Sequence, residues 1–281
     1  MKILFTLESS AGMEVTMKQI KGGVTAAKGF KAASTAAGIK YKDRTDMAMI
    51  YSEVPCAVAG TFTTNIVKAA PVKWDQHVVY DSKKAQAVIV NAGIANACTG
   101  QAGYENAAET AKLAGEALNI SSDTVLVAST GVIGFTLPMD VIADGVKKLS
   151  GMLKSDVQSA QDAAEAILTT DTHPKQIAYE TTIGGKTVTF GAMCKGSGMI
   201  HPNMGTMLGF IMTDAAISKN LLDKALKGSI EDTFNMVSVD GDTSTNDTVL
   251  VMANGMAGNP EITEENEDYE AFKEALLAVN T

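Results

Sequence analysis

The residues best suited to chemistry lie in one segment rich in glycine and methionine, GAMCKGSGMIHPNMGTMLGFIMTD, which spans residues 191–214. At its centre, Gly205 and Thr206 come just before the apolar run LGFIM. Small residues concentrate where a backbone must come close to another group. The Thr206 hydroxyl could be a nucleophile, and chain cleavage before it would supply its own α-amine as base. A threonine at a strand edge is also a common structural residue, so the pattern leaves both interpretations open.

A second candidate is the run ASTGVIG, residues 128–134, which follows the β-prone run TVLVA. Thr130, Gly131 and Gly134 predict a tight turn whose backbone N–H groups could converge on an anion. With the Thr130 hydroxyl as a further donor, such a turn could form an oxyanion hole. An ordinary turn between a strand and a helix explains the same residues.

Two further polar runs are weaker candidates for a functional site. VNAGIANACTG, residues 90–100, places small polar residues after a β-prone run, as Asx and Thr turns do. SVDGDTSTNDTV, residues 238–249, resembles a calcium loop at Asp240 and Asp242, but it lacks the required glycine and the final acid. The 3 histidines are dispersed along the chain. We therefore predict no calcium and no other metal site.

Composition narrows the function further. The net charge of −9 argues against a general polyanion binder, which would carry a basic face. The 3 cysteines form no CxxC pair, which favours a reducing, cytoplasmic setting. No apolar run is long enough for a membrane helix. Walker A, GxGxxG and GxSxG patterns are missing, which leaves acyl transfer at Thr206 as the chemistry to consider.

Secondary-structure elements must position these residues. Along the sequence, β-prone runs alternate with stretches rich in Ala and Glu, which predicts a mixed α/β fold. Residues 104–118 and 155–168 have helical spacing, the second with Ser155 as N-cap, and residues 267–280 repeat the pattern. IGG at 183–185 predicts a hairpin turn. Residues 1–17 are expected to be a poorly ordered extension. Strands are predicted within the following runs: 86–91, 124–129, 186–190, 208–212 and 247–252.

Six runs together closely resemble the ornithine acetyltransferase (glutamate N-acetyltransferase) family of arginine biosynthesis. The KGSGMIHPNM run followed by a small residue and TML is the most specific of them. The runs are QIKGGVTAAKGFKA (19–32), VNAGIANACTG, ASTGVIG, ILTTDT (167–172), KGSGMIHPNMGTMLGF and VDGDTSTND.

The resemblance implies that the precursor cuts itself between Gly205 and Thr206. An α chain (18–205) and a β chain (206–281) then stay associated. Thr206 becomes the nucleophile and its free amine the proton acceptor, while Thr130 and Gly131 correspond to the oxyanion hole. Gly205 stands where the family usually has alanine.

The resemblance also assigns substrate-binding positions. Lys195 matches one of them, and Thr169 or Thr170 of the TTDT run matches another, beside the nucleophile Thr206 itself. The implied reaction is a ping-pong transfer of acetyl from N2-acetylornithine to glutamate through an acetyl-threonine ester. No cofactor is implied, although some members accept acetyl-CoA as a co-substrate.

The implied fold is an α/β sandwich of the self-cleaving N-terminal-nucleophile type, in which two central β-sheets lie between helical layers. Two α and two β chains are expected to form a heterotetramer that binds small molecules, with no nucleic-acid or membrane partner. Family members extend past the position of Thr281, so the resemblance implies an incomplete β segment. A related self-cleaving aminopeptidase and an inactive fragment are the alternatives.

Overall fold

The computed structural model describes residues 4–8, 12, 14–198, 207–237, 240 and 242–281. The strands are β1 (Leu4–Glu8), β2 (Glu14–Ile20), β3 (Phe30–Thr35), β4 (Met47–Phe62), β5 (Lys84–Ile94), β6 (Val125–Val132), β7 (Lys175–Ile183), β8 (Lys186–Lys195), β9 (Leu208–Thr213) and β10 (Thr248–Ala253). The α-helices are α1 (Ala70–His77), α2 (Gly100–Leu118), α3 (Met139–Met152), α4 (Val157–Ala166), α5 (Lys219–Glu231) and α6 (Glu267–Asn280). No helix of the described chain is both long enough and apolar enough to cross a membrane.

These strands form one hydrogen-bonded sheet in the order β1-β2-β7-β8-β9-β10-β4-β5-β6, and β3 pairs with β4 outside this path. The β9–β10 and β5–β6 pairs are parallel. The remaining pairs between the strands named above are antiparallel. Strand β10, the last along the chain, therefore lies between β9 and β4 in the middle of the sheet.

The long strand β4 belongs to both halves of this sheet. Its first residue, Met47, lies opposite the end of β5, and its last residue, Phe62, lies opposite the first residue of β10. A straight strand would separate these two positions by about 50 Å at about 3.3 Å per residue. The pairing of β4 with β5 is irregular between Tyr51 and Cys56.

The end of β5 and the start of β10 pair with opposite ends of β4, yet the residues next to them are in contact. Asn246, two residues before β10, donates from Nδ2 to the carbonyl oxygen of Ala95, which directly follows β5, at 2.7 Å. The sheet therefore folds back on itself, and its halves form two layers. The predicted α/β sandwich is confirmed, with the refinement that β4 joins the two central layers into one continuous sheet.

Helices cover these layers. Helices α1 and α2 pack on β6, and α3 packs on β3 and β4, whereas α5 packs on β4 and α6 packs on β2, β7 and β8. Neighbouring residues of β9 alternate between two hydrophobic cores, because Phe210 belongs to the first and Ile211 to the second. This is the pattern of a strand that is buried on both faces.

Most of the predicted elements are present. The five predicted strands lie in β5, β6, β8, β9 and β10, and the hairpin turn joins β7 to β8, with Gly184 and Gly185 at φ 54° and 72°. The predicted N-cap of α4 is wrong by one residue. Asp156, not Ser155, caps it, because the Asp156 carboxylate accepts from the Ser159 N–H at 2.8 Å.

The expectation of a poorly ordered segment before Met17 is wrong for its described residues. Strand β2 begins at Glu14 and pairs with β7, where Lys18 lies opposite Glu180. Strand β1 pairs with β2, and the Phe5 ring packs edge-on against Tyr179 with centroids 5.5 Å apart. Backbone pairing and aromatic contact hold these residues on the sheet, and a short apolar patch alone does not reveal such a partner.

Candidate active site

The candidate site lies where strand ends from both layers meet. In one layer, Lys195 at the end of β8 lies opposite Leu208, the first residue of β9. Leu208 in turn lies opposite Thr248, the first residue of β10. In the other layer, β5 and β6 end side by side, so that Gly93 lies opposite Gly131. Five strand ends can therefore supply side chains to one place.

Strand β6 supplies Thr130 and Gly131, the pair predicted as an oxyanion hole. Gly131 has φ 132°, which residues with a side chain rarely adopt. A Cβ atom at this position would also lie 2.2 Å from the carbonyl carbon of Gly93. Two strand backbones approach closely here, so the sequence needs glycine at position 131 for packing as well as for conformation.

Lys195 joins the two layers. Its Nζ donates to the Thr130 Oγ1 at 2.8 Å and to the Thr169 Oγ1 at 3.3 Å. Because the lysine is the donor, the hydroxyl hydrogen of Thr130 stays available to stabilise a developing oxyanion. Burial lowers the pKa of Lys195, whereas the nearby carboxyl groups of Asp171 and Asp247 act in the opposite direction. Lys195 is only 3% exposed.

The TTDT run lies alongside the end of β8. Thr169 contacts Lys195, whereas Thr170 is exposed and its Oγ1 lies 2.7 Å from the Ser197 Oγ. The structure thus brings the first of these two candidate threonines to the buried lysine and the second to the protein surface.

Asp171 in the same run holds the chain just after β8. Its Oδ1 accepts from the Gly196 N–H at 2.7 Å and from the Lys175 Nζ at 2.7 Å. Burial acts to raise the pKa of Asp171, but these two hydrogen bonds and the charge of Lys195 outweigh it and lower the pKa overall. Asp171 is therefore a carboxylate with cationic partners, and it helps to keep Lys195 protonated.

Two residues missed by the sequence analysis as site residues, Asn246 and Asp247, lie directly before β10. Asn246 donates from Nδ2 to the carbonyl oxygen of Ser129 at 2.8 Å, next to Thr130. The Asp247 Oδ1 accepts from the Met207 N–H at 2.9 Å. Their run resembles a calcium loop and also carries part of the family resemblance, and neither feature indicates a role for these two side chains. An amide and a carboxyl side chain directly before a buried strand are expected to hydrogen-bond to backbone, which is the signal that could have identified them.

Asp247 is fully buried. Burial raises the pKa of its carboxyl group to about 8, against the opposing effects of the Met207 N–H and the Lys195 charge. The carboxyl is therefore mostly protonated at neutral pH. Asp247 differs in this respect from Asp171, although both carboxyls lie near Lys195.

A small cavity of about 50 Å³ lies at this meeting point. Its lining includes Thr130, Gly131, Met207, Asn246 and Asp247. The cavity is thus bounded by the predicted oxyanion turn on one side and by the starts of β9 and β10 on the other. Two other predicted site residues, Gly205 and Thr206, lie outside the described residues, directly before Met207 in the chain.

The described chain contains no group of three or more His, Cys, Asp or Glu side chains arranged to hold a metal ion. In the 238–249 run, the Asp240 carboxylate accepts from the Asp242 N–H at 3.3 Å, which is a local turn contact. The ring of His77 lies 2.8 Å from the Asp81 carboxylate on the surface.

The profile of the ArgJ family matches residues 31–281. The chain belongs to the ArgJ family. This confirms the resemblance carried by the six sequence runs. The chain is 54% identical over 265 residues to an arginine biosynthesis bifunctional protein ArgJ of Symbiobacterium thermophilum, covering 94% of this chain and 65% of that relative. A Lactococcus lactis protein of the same name is 53% identical over 263 residues, with the same two coverages. The chain therefore spans about two thirds of the length of these ArgJ relatives.

Solved ArgJ structures have the same fold. A Bacillus halodurans ArgJ protein is 43% identical with a TM-score of 0.61, covering 68% of this chain and 99% of its own. A Mycobacterium tuberculosis ornithine acetyltransferase complexed with ornithine is 39% identical with a TM-score of 0.61, covering 68% of this chain and 100% of its own. A Burkholderia β-aminopeptidase, 13% identical with a TM-score of 0.51, covers 93% of this chain and 86% of its own and shares only the fold.

Proposed function

We propose that this chain carries the acetyl-transfer site of a glutamate N-acetyltransferase of arginine biosynthesis, with Thr206 as nucleophile. One observation carries the proposal: Met207, the residue bonded to Thr206, lines the same cavity as Thr130 and Gly131. A hydroxyl nucleophile needs oxyanion donors within hydrogen-bond reach of the carbonyl that it attacks. Membership in the ArgJ family and the ornithine complex of the M. tuberculosis relative support the substrate class.

In the first half-reaction, the Thr206 Oγ attacks the acetyl carbonyl carbon of N2-acetylornithine and its proton passes to the α-amine of Thr206. The tetrahedral oxyanion accepts hydrogen bonds from the Thr130 hydroxyl and the Gly131 N–H. The C–N bond then breaks, the ornithine nitrogen takes the proton, and an acetyl ester remains on Thr206. One oxyanion donor of this kind stabilises the transition state by about 3 kcal/mol.

In the second half-reaction, the amine of glutamate attacks the ester carbonyl. The C–O bond breaks, Thr206 regains its proton, and N-acetylglutamate leaves. The buried ammonium group of Lys195 has three N–H donors, two of which reach Thr130 and Thr169. The third is suited to a substrate carboxylate, a group that N2-acetylornithine and glutamate share.

The α-amine becomes free when the chain cleaves itself. In this proposal the Thr206 Oγ attacks the Gly205 carbonyl carbon, the C–N bond breaks, and water hydrolyses the resulting ester to release the Gly205 carboxylate. The solved relatives support it, because 68% of 281 residues is about 191 residues and these cover almost all of each solved chain. That length is close to the predicted α segment, 18–205.

The test uses the complete gene product and N2-acetylornithine with an isotopically labelled acetyl group. Without glutamate, we expect release of ornithine and a stable label on the peptide that contains Thr206. Addition of glutamate should move the label to N-acetylglutamate. Release of labelled acetate at the same rate with and without glutamate would instead indicate a hydrolase and contradict the proposal.

A further inference from the structure

The backbone N–H and the backbone carbonyl of Met207 are both hydrogen-bonded to residues at the start of β10. Its N–H donates to the Asp247 Oδ1 at 2.9 Å, and its carbonyl oxygen accepts from the Thr248 N–H at 2.9 Å. Asp247 is itself fixed, because its carbonyl oxygen accepts from the Thr63 N–H at 2.9 Å. The sheet ladder explains the bond from Thr248. The bond to the Asp247 side chain is an additional contact that the ladder does not require.

The burial of the Asp247 carboxyl is costly. Its Oδ2 atom has no hydrogen-bond partner among the described residues, and buried polar groups normally have one. The hydroxyl groups of Ser244 and Thr63 are close and act to lower the pKa of Asp247, but the Thr63 hydroxyl donates to the carbonyl oxygen of Ser244 at 2.7 Å. An apolar side chain would avoid this cost but would leave the Met207 N–H without its acceptor.

The hydrogen bond to Met207 also affects Thr206, the preceding residue, because the two share a peptide bond. The Met207 nitrogen and the Thr206 carbonyl belong to one planar peptide unit, so a bond that fixes the N–H direction also fixes the plane. We propose that Asp247 is a positioning residue for Thr206, because it orients the peptide unit that joins the nucleophile to β9. This inference rests on the proposed function, in which Thr206 attacks the substrate.

The charge of Asp247 gives the proposal a second consequence. Only three covalent bonds separate the Met207 nitrogen from the α-nitrogen of Thr206. Asp247, where it is ionised, therefore favours the protonated α-amine. Lys195, the charged group that faces Asp247 from β8, lowers the pKa of Asp247, and its positive charge disfavours a protonated amine nearby. An asparagine at position 247 keeps the oxygen acceptor but removes the charge.

The experiment measures kcat and KM for N2-acetylornithine in Asp247→Ala and Asp247→Asn variants of the complete gene product. We expect Asp247→Ala to lower kcat about a hundredfold, since about 1 Å of misplacement has this effect, and to change KM less than about threefold. Asp247→Asn should retain kcat within about tenfold, because an amide oxygen can still accept from Met207.

Asp214, at the other end of β9, provides the matched control. It is also buried, and its two carboxylate oxygens accept from the Thr189 N–H at 2.7 Å and the Lys28 N–H at 3.0 Å. Asp214→Ala should lower stability but leave kcat within about threefold. The proposal is overturned if Asp247→Ala keeps kcat within about threefold, or if Asp214→Ala loses as much kcat as Asp247→Ala does.

If Asp247→Ala does not fold, the pH profile of Asp247→Asn decides. Asp247 gains its charge only near pH 8, so its removal should move the part of the kcat profile above about pH 8 to lower pH by about 0.5 to 1 unit and leave the part below about pH 7 unchanged. An unchanged profile above pH 8 overturns the proposal. A Thr206→Ala variant distinguishes failure of the Asp247 proposal from failure of the proposed function. If Thr206→Ala is inactive while Asp247→Ala is active, only the role of Asp247 is contradicted. An active Thr206→Ala variant contradicts the proposed function itself.

Discussion

The segment between β8 and β9 is held at each described end by an aspartate, and the two aspartates differ in charge. At the start, the Asp171 carboxylate accepts from the Gly196 N–H at 2.7 Å and has Lys175 as a cationic partner. At the end, the Asp247 carboxyl accepts from the Met207 N–H at 2.9 Å. The pKa of Asp171 is lowered, whereas burial raises that of Asp247 to about 8.

Burial acts to raise the pKa of both carboxyls, and both accept a backbone hydrogen bond, so a direct cationic partner is what distinguishes them. Lys175 contacts Asp171 at 2.7 Å, whereas Lys195 affects Asp247 only as a nearby charge. The first aspartate therefore stays charged and supports the protonated state of Lys195. The second is mostly neutral at neutral pH, and it serves as a hydrogen-bond acceptor for backbone. We infer that the start of the segment contributes to substrate binding and its end to placing the nucleophile.

The largest effect should come from changing the turn at Gly131, which lines the same cavity as Met207. Gly131→Ala places a Cβ atom 2.2 Å from the Gly93 carbonyl carbon at a φ of 132°. We expect the free energy of unfolding to fall by about 3 kcal/mol and acetyl transfer to fall at least about a hundredfold. Chemical denaturation and the labelled-acetyl assay measure these two quantities.

Gly134→Ala is the matched control for this substitution. Gly134 also has a positive φ, 88°, but a Cβ atom there would meet nothing within 4 Å. We expect a loss of about 1 kcal/mol from backbone strain alone and a nearly unchanged rate. Equal losses of activity in the two alanine variants would show that the close approach to Gly93 does not shape the site.

A smaller effect should follow from neutralising the start of the segment. Asp171→Asn removes a charge that raises the pKa of Lys195, so the lysine loses its proton at lower pH. We expect KM for N2-acetylornithine to rise about tenfold at alkaline pH, with kcat within about threefold. A fall in kcat with unchanged KM, as expected for Asp247→Ala, would show that the two ends do not have separate roles.

The smallest effect is a difference in how the stability depends on pH. The raised pKa of Asp247 contributes stability that is fully present below about pH 4 and is lost as the pH rises to about 8. The lowered pKa of Asp171 contributes stability that is present above about pH 4 and is lost as the pH falls through its folded-state pKa. Urea unfolding of the two asparagine variants from pH 4 to 9 measures both contributions.

Relative to the parent protein, Asp247→Asn should therefore gain stability as the pH rises from 4 to 8. Asp171→Asn should be less stable than the parent at pH 6, with the difference decreasing at lower pH. Parallel curves for the two variants would contradict the assigned charge states.

Much of the fold could be predicted from the sequence, because β-prone runs and helical spacing are local signals. The strands around residues 86–91 and 124–129, and the hairpin at 183–185, follow from patterns within a few residues. The pairing of residues 4–8 with β2 could not be predicted, because it depends on partners distant in the sequence. The fold-back of the sheet at β4 depends on such distant partners as well.

The candidate site also combines residues that the sequence predicted with residues that it did not. Thr130, Gly131 and Lys195 were identified from their runs and the family resemblance, and the structure brings them together in one place. The roles of Asn246 and Asp247 could not be predicted, because their run resembles a calcium loop and its hydrogen-bond partners come from β6 and the start of β9. Of Thr169 and Thr170, the structure brings only Thr169 into contact with Lys195, and this contact could not be predicted from the sequence.

In the proposed function, Thr206 is the nucleophile in both self-cleavage and acetyl transfer. Intact-mass analysis and N-terminal sequencing of the complete gene product and of its Thr206→Ala variant measure whether the chain is cut and where. We predict two chains for the parent protein, the second beginning at Thr206, and one uncut chain for the variant. A parent protein that stays uncut, or a variant that is still cut after Gly205, would show that Thr206 is not the nucleophile of self-cleavage.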